Sequence, residues 1–208
     1  MNYQDCILTL RAALSQPLPG QAAQYIMAPS GRPKPNLAEL NNKAVRKAGV
    51  LALIYNAANE AHLVLTERST YRGVHSGQIS FPGGKKENED PDFKSTALRE
   101  THEEIGVPPT SVEVLGPLTS LYIPPSNFLV HPFIGTINSV PSMVPDPVEV
   151  SQILSFPLDY LIDDSFIKQQ KIKLSNGLQI TSPTFVFDDF TVWGATAMIL
   201  AELKALLK

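Results

Sequence analysis

The stretch from Gly84 to Val107, GKKENEDPDFKSTALRETHEEIGV, constrains this chain more than any other. From Arg99 to Ile105 it reads as a helix turning about 100° per residue. Glu100, Glu103 and Glu104 then stand at i, i+3 and i+4 and share one face. Ala97, Leu98, Thr101 and Ile105 form a neighbouring face that can pack on a sheet. Asp90 before Pro91 reads as an N-cap followed by proline at the first helical position. Gly106, with Pro108 and Pro109 behind it, reads as the stop.

Three like charges on one helix face repel, each pair costing a few tenths of a kcal/mol, about as much as an opposite pair would gain. Packing alone does not call for that arrangement. A hard divalent cation offsets it, because clustered carboxylate oxygens suit magnesium or manganese. Magnesium also keeps waters and binds substrate phosphates, so the pattern points to metal-assisted phosphate chemistry. Taken without its surroundings, the same run reads as a solvated acidic face.

The surroundings favour the metal. The stretch resembles the Nudix box, G-x5-E-x7-R-E-U-x-E-E-x-G-U with U aliphatic, through Gly84, Arg99, Glu100, Glu103, Glu104, Gly106 and Val107. It departs in having Thr101 at the aliphatic position, one extra residue between Gly84 and Arg99, and Asp90 in place of the first glutamate. These departures fit one branch. Arg68-Ser69, the run His75 to Gly84 and the run Thr96 to Glu100 are similar to the signature of the coenzyme A pyrophosphatase Nudix hydrolases.

That resemblance implies an α/β/α Nudix sandwich with a mixed sheet. It implies that Glu100, Glu103 and Glu104, with the carbonyl of Gly84 or Gly83, hold Mg2+ or Mn2+ against a diphosphate while water attacks one phosphorus. Arg99 would orient the glutamates through its planar fork. The base is a box glutamate, Glu103 or Glu104, or else Glu149, which stands where several Nudix enzymes place an added acid. The other reading of Glu149 is a surface residue opening a strand or helix. Arg68, Arg72, His75 and Gln78 are the candidates for contact with the substrate, and His75 reads equally as a residue that holds its loop. The substrate implied is coenzyme A or an acyl-CoA, cut to 3′,5′-ADP and a 4′-phosphopantetheine. Other readings are hydrolysis of ADP-ribose or a dinucleotide, or a non-catalytic Nudix ligand-binding module. Glutamates splayed apart, or locked to lysines and arginines and unable to take manganese, would contradict the metal reading.

The rest of the chain adds boundaries. With a net charge of -3 and no basic stripe, it lacks the electrostatic footprint of a nucleic-acid binder. No apolar run approaches the ~20 residues that span a bilayer. Met1 to Asp5 shows no basic-then-apolar leader, so a cytoplasmic location is expected. A homodimer is an expectation from the superfamily alone. Cys6 excludes an internal disulfide and reads as a small apolar side chain on an amphipathic helix over 3–15. Residues 1–45 are expected to form an extension, partly helical and partly irregular, packed on a Nudix domain over 46–208.

Within that domain Val50 to Tyr55 and Ala61 to Glu67 read as paired strands, and Gln78 to Phe81 as a short strand ended by Pro82-Gly83-Gly84. Val112 to Ile123 is a strand broken at Gly116-Pro117, and Phe128 to Ile137 another, with Pro132 suggesting an edge or bulge. His131 reads as structural. Asn176-Gly177 predicts a hairpin over 171–181, Asp188-Asp189 a second, and Gly194 to Lys208 a terminal helix, with Trp193 filling the core.

Overall fold

The structure, a computed structural model, describes residues 1–36, 40, 45–69, 78–174 and 177–208. Its spine is β1 (Arg46–Ala57), an apolar run with Leu51 to Ile54 wholly buried. A tight turn with positive φ at Ala58 and Asn59 returns it antiparallel into β2 (Glu60–Arg68). Two short strands follow, β3 (Ile79–Ser80) on β2 and β4 (Gly83–Lys85) on β1. The short strand ends before Pro82, as the sequence suggested, and Gly83 and Gly84 then make a strand of their own against Val50 and Gly49.

After β4 the chain passes to a helix, then to β5 (Glu113–Pro117), β6 (Leu121–Ile123) and β7 (Phe128–Ile137). β7 runs parallel to β1 along its length, and β5 and β6 pair antiparallel with its other side. β8 (Val150–Pro157) closes the sheet on β2. One parallel pair among antiparallel ones makes the sheet mixed.

Pro132 therefore sits in an interior strand, not at an edge. Its carbonyl accepts from Leu118 N at 2.9 Å, so its donorless nitrogen faces the same side. There the neighbouring strand is interrupted between Pro117 and Leu121, so little of a ladder remains to lose.

The two faces of the sheet alternate. Leu51, Leu53 and Tyr55 pack with Val64, Ala97, Ile105 and Val107. Ala52, Ile54, Leu63 and Leu65 pack on the other side with two flanking helices. The first is α1 (Tyr3–Leu14), capped by Asn2 and burying Tyr3, Cys6, Ile7 and Leu10. Leu8 of the same helix is 65% exposed. A short α2 (Gly20–Gln24) follows, and the glutamate-bearing helix is α3 (Phe93–Ile105) on the opposite face. α4 (Leu158–Ile162) is a single turn, and α5 (Gly194–Leu206) is the second flanking helix. These layers are the α/β/α sandwich.

The first 36 residues are anchored to the far end of the chain. Glu202 of α5, wholly buried, accepts from Gly20 N, Thr119 N and Gln24 Nε2 at 2.8–3.2 Å. The two hairpins near the C-terminus share a strand and form a separate sheet, β9 (Ile167–Lys173), β10 (Gln179–Phe187) and β11 (Phe190–Val192). Asn176 lies outside the described residues. Trp193 is half-buried at the start of α5, and it is Phe156, Phe185 and Phe187 that fill the core there.

Candidate active site

α3 starts two residues later than the sequence suggested. Asp92 is the N-cap, accepting from Ser95 N at 2.7 Å. Asp90 instead turns inward at 6% exposure. It accepts from Arg99 Nε at 2.9 Å and Nη2 at 3.0 Å, from Thr96 Oγ1 at 2.9 Å and from Glu87 N at 2.9 Å. The Arg99 fork, above all, holds this carboxylate well below the usual range. α3 ends where expected, with Gly106 at φ 74° and its N–H donating to His102 O.

Arg99 then faces the glutamates. Its Nη1 donates to Glu103 Oε2 at 2.8 Å, and Nη2 lies 3.0 Å from Glu100 Oε1 and donates to Lys85 O at 3.1 Å. One guanidinium thus ties the β4 backbone, the preceding loop and two carboxylates into one frame. Glu100 lies directly over Gly84, where an added Cβ would fall inside its carboxylate. The absence of a Cβ at Gly84 leaves room for this close approach.

Glu104 goes deeper, at 2% exposure. Gly83 N donates to its Oε2 at 3.1 Å and Arg68 Nη1 to its Oε1 at 3.3 Å. Burial pushes Glu104 up to about 7, with smaller upward contributions from Glu100 and Glu149. Glu100 is also raised, first by burial and further by Glu103 and Glu149. Glu103 is exposed, with 56% of its side chain open to solvent.

The structure thus brings Arg68, Gly84, Arg99, Glu100, Glu103 and Glu104 together. Glu149 lies at the end of the 138–149 loop, exposed and close enough for its charge to act on Glu100 and Glu104. Its carbonyl accepts from Ser69 N at 2.9 Å. Gln78 flanks Arg68, its carbonyl accepting from Arg68 N at 3.1 Å. Arg72 and His75 lie outside the described residues. Arg68 meets a glutamate rather than standing clear of the acids. A register shift in β2 between Glu67 and Arg68 occurs where this side chain turns to α3. Asp90 as the anchor of Arg99 and Gly83 N as a donor to Glu104 are the contributors that sequence reasoning missed. His131 is structural, as expected. It stacks on Phe93 at 3.8 Å, bonds Ser120 through Nδ1 at 2.9 Å, and burial lowers it to about 4.

Among the described residues, no three His, Cys, Asp or Glu side chains converge as a ready-made metal cage. Each box glutamate shares an oxygen with an arginine. The donor set nevertheless fits a hard divalent cation. It is all oxygen, it lies beside the backbone of Gly84, and two of its carboxylates, Glu100 and Glu104, resist ionisation, first through burial and then through neighbouring glutamates.

Fold and site together define an α/β/α sandwich with a carboxylate centre laid against a glycine strand. A family profile described as NUDIX domain matches residues 45–173. A protein named uncharacterized Nudix hydrolase NudL from Photorhabdus laumondii is 33% identical over 68% of this chain and 74% of its own length. One of the same name from Pectobacterium atrosepticum is 35% identical over 68% and 72%. The crystal structure of a MutT/nudix family protein from Enterococcus faecalis superposes with a TM-score of 0.53 at 14% identity, covering 83% of this chain and 63% of that one, and shows the fold alone. The chain belongs to the Nudix family and is a Nudix hydrolase. Among its described residues, no helix is long and apolar enough to cross a membrane.

Proposed function

We propose that this hydrolase cuts coenzyme A or an acyl-CoA at the diphosphate, releasing 3′,5′-ADP and a 4′-phosphopantetheine. The observation that carries the hydrolytic part is the stacking of Glu100 over Gly84, with Glu104 bound at Gly83 N. The coenzyme A part is supported by the likeness of the runs 75–84 and 96–100 to the coenzyme A pyrophosphatase branch. Glu100, Glu103, Glu104 and the Gly84 carbonyl are assigned to hold Mg2+ or Mn2+. Such an ion, when bound, neutralises charge on the diphosphate and lowers the pKa of an attacking water. Arg99, locked by Asp90, sets the directions of Glu100 and Glu103. Glu149 is assigned as the base, since Glu103 is bonded by Arg99 and Glu104 by Gly83 and Arg68. Arg68 and Gln78, together with Arg72 and His75, are assigned to the substrate side. A cytoplasmic homodimer completes the proposal.

Steady-state hydrolysis of coenzyme A, ADP-ribose and a dinucleoside polyphosphate, in magnesium, in manganese and with chelator, tests it. Coenzyme A is expected to give the highest kcat/KM, and chelator to abolish turnover. Higher kcat/KM for ADP-ribose or the dinucleotide overturns the substrate assignment. Tight binding of coenzyme A with no turnover in either metal overturns catalysis.

A further inference from the structure

Two arginines serve the glutamates of α3, and they are held in different ways. Glu104 is 2% exposed and both its oxygens are engaged, Oε2 by Gly83 N at 3.1 Å and Oε1 by Arg68 Nη1 at 3.3 Å. A carboxylate so deep needs a counter-charge. Among the described residues, Arg68 is the one cation paired with it. Arg99 is committed elsewhere. Asp90 anchors its Nε and Nη2 at 2.9 and 3.0 Å, and its remaining contacts go to Glu100, Glu103 and the Lys85 carbonyl.

Arg68 has a fixed root and a loosely held head. Its N–H donates to Gln78 O at 3.1 Å, and the next residue, Ser69, donates to Glu149 O at 2.9 Å. Its guanidinium makes a single carboxylate contact among the described residues, at 3.3 Å. That is longer than each contact of Arg99 with an acid, and longer than the ~2.7–2.9 Å usual for a charge-assisted bond. Glu104 is also one of the glutamates assigned to the cation, so Arg68 stands against any doubly charged ion arriving at those oxygens. Of the two arginines, only Arg68 can leave without breaking the frame that Asp90 anchors. Resting on the proposed metal site, we infer that Arg68 is a place-holding counter-ion. It neutralises Glu104 until that carboxylate is taken by a divalent cation, and then turns its planar fork to the diphosphate. The exchange keeps the buried carboxylate paired throughout and couples loading of the site to readiness for substrate.

Calorimetry of Mn2+ binding to the full-length protein, without substrate and in mildly alkaline buffer, tests this. Arg68→Gln should bind Mn2+ more tightly than wild type, since a single charge about 6 Å from a double one is worth roughly tenfold in affinity even at the dielectric of water. Arg68→Lys keeps the charge and should stay near wild type. An arginine that merely braces Glu104 gives the opposite sign, so equal or weaker binding in Arg68→Gln overturns the inference, as does equal tightening in Arg68→Lys. A second measurement needs no variant. Phenylglyoxal labelling of wild type, read by peptide mass spectrometry, should find Arg68 several-fold more reactive in Mg2+ than in chelator, and protected again by methylene diphosphonate. Reactivity unmoved by Mg2+ overturns the exchange, and failure of the diphosphonate to protect overturns the turn toward substrate. A wild type that takes up neither ion removes the metal site itself, and the inference with it.

Discussion

Asp90→Asn removes one charge from the site and almost no volume. In the wild type, Oδ2 accepts from Glu87 N, Thr96 Oγ1 and Arg99 Nη2, and Oδ1 accepts from Arg99 Nε. An asparagine must turn its NH2 toward one of those sets. The lesser conflict faces Arg99 Nε and leaves two donors opposed in a place with 6% exposure. Breaking a buried ion pair costs about 3–5 kcal/mol. Arg99 keeps 24% of its side chain exposed, so solvent recovers part of that, and about 2–4 kcal/mol is expected. For a chain of this size, that is a fall in Tm of roughly 5–15 °C. The pH dependence has a definite sign. The folded pKa of Asp90 is depressed, so its contribution is fully present above the unfolded value of about 3.9 and disappears as pH falls toward the folded one. Urea unfolding followed by circular dichroism, at several pH values from 7 down to about 3, should show wild type and variant far apart at neutrality and converging in acid. Equal stability at pH 7, or a gap that persists unchanged into acid, would refute the reasoning.

Three further outcomes are expected. Glu103→Gln should abolish magnesium-dependent hydrolysis with a Tm within a degree or two of wild type, because it removes an exposed anionic ligand and little packing; an unchanged rate removes Glu103 from the site. Gly84→Ala places a methyl within the Glu100 carboxylate and should cut kcat by roughly a hundredfold, read by steady-state kinetics. If kcat holds, Glu100 does not need its place over the strand. Cys6 is wholly buried and its thiol is pushed up to about 12 by that burial, so a thiol reagent at pH 8 should label it only as fast as the chain unfolds.

Much of the centre was legible because a helix repeats its spacing. Glu100, Glu103 and Glu104 share a face by arithmetic, and Gly106 stops the helix through a backbone conformation that other residues resist. Asp90 was misread because Asp-Pro is a valid cap signal. Only its long-range partner Arg99 tells it from Asp92, which holds the cap. Pro132 looked like an edge residue because the gap that accommodates it lies in another strand. The closeness of Glu149 to Glu100 and Glu104 depends on β8 closing against β2, a pairing that leaves no local pattern in the chain. The same holds for the second sheet, whose hairpins were visible but whose separation from the main sheet was not.

The parallel seam between β1 and β7 encloses, in chain order, every glutamate carried by α3. Distant segments must meet before a seam of that kind forms, and such pairings are slow compared with helix or hairpin closure. A nascent chain still short of Phe128 therefore carries the three α3 glutamates while β1 has β2 and β4 on one side and nothing on the other. Competence would arrive late in synthesis, in a single step, rather than ripening gradually as the acidic helix emerges.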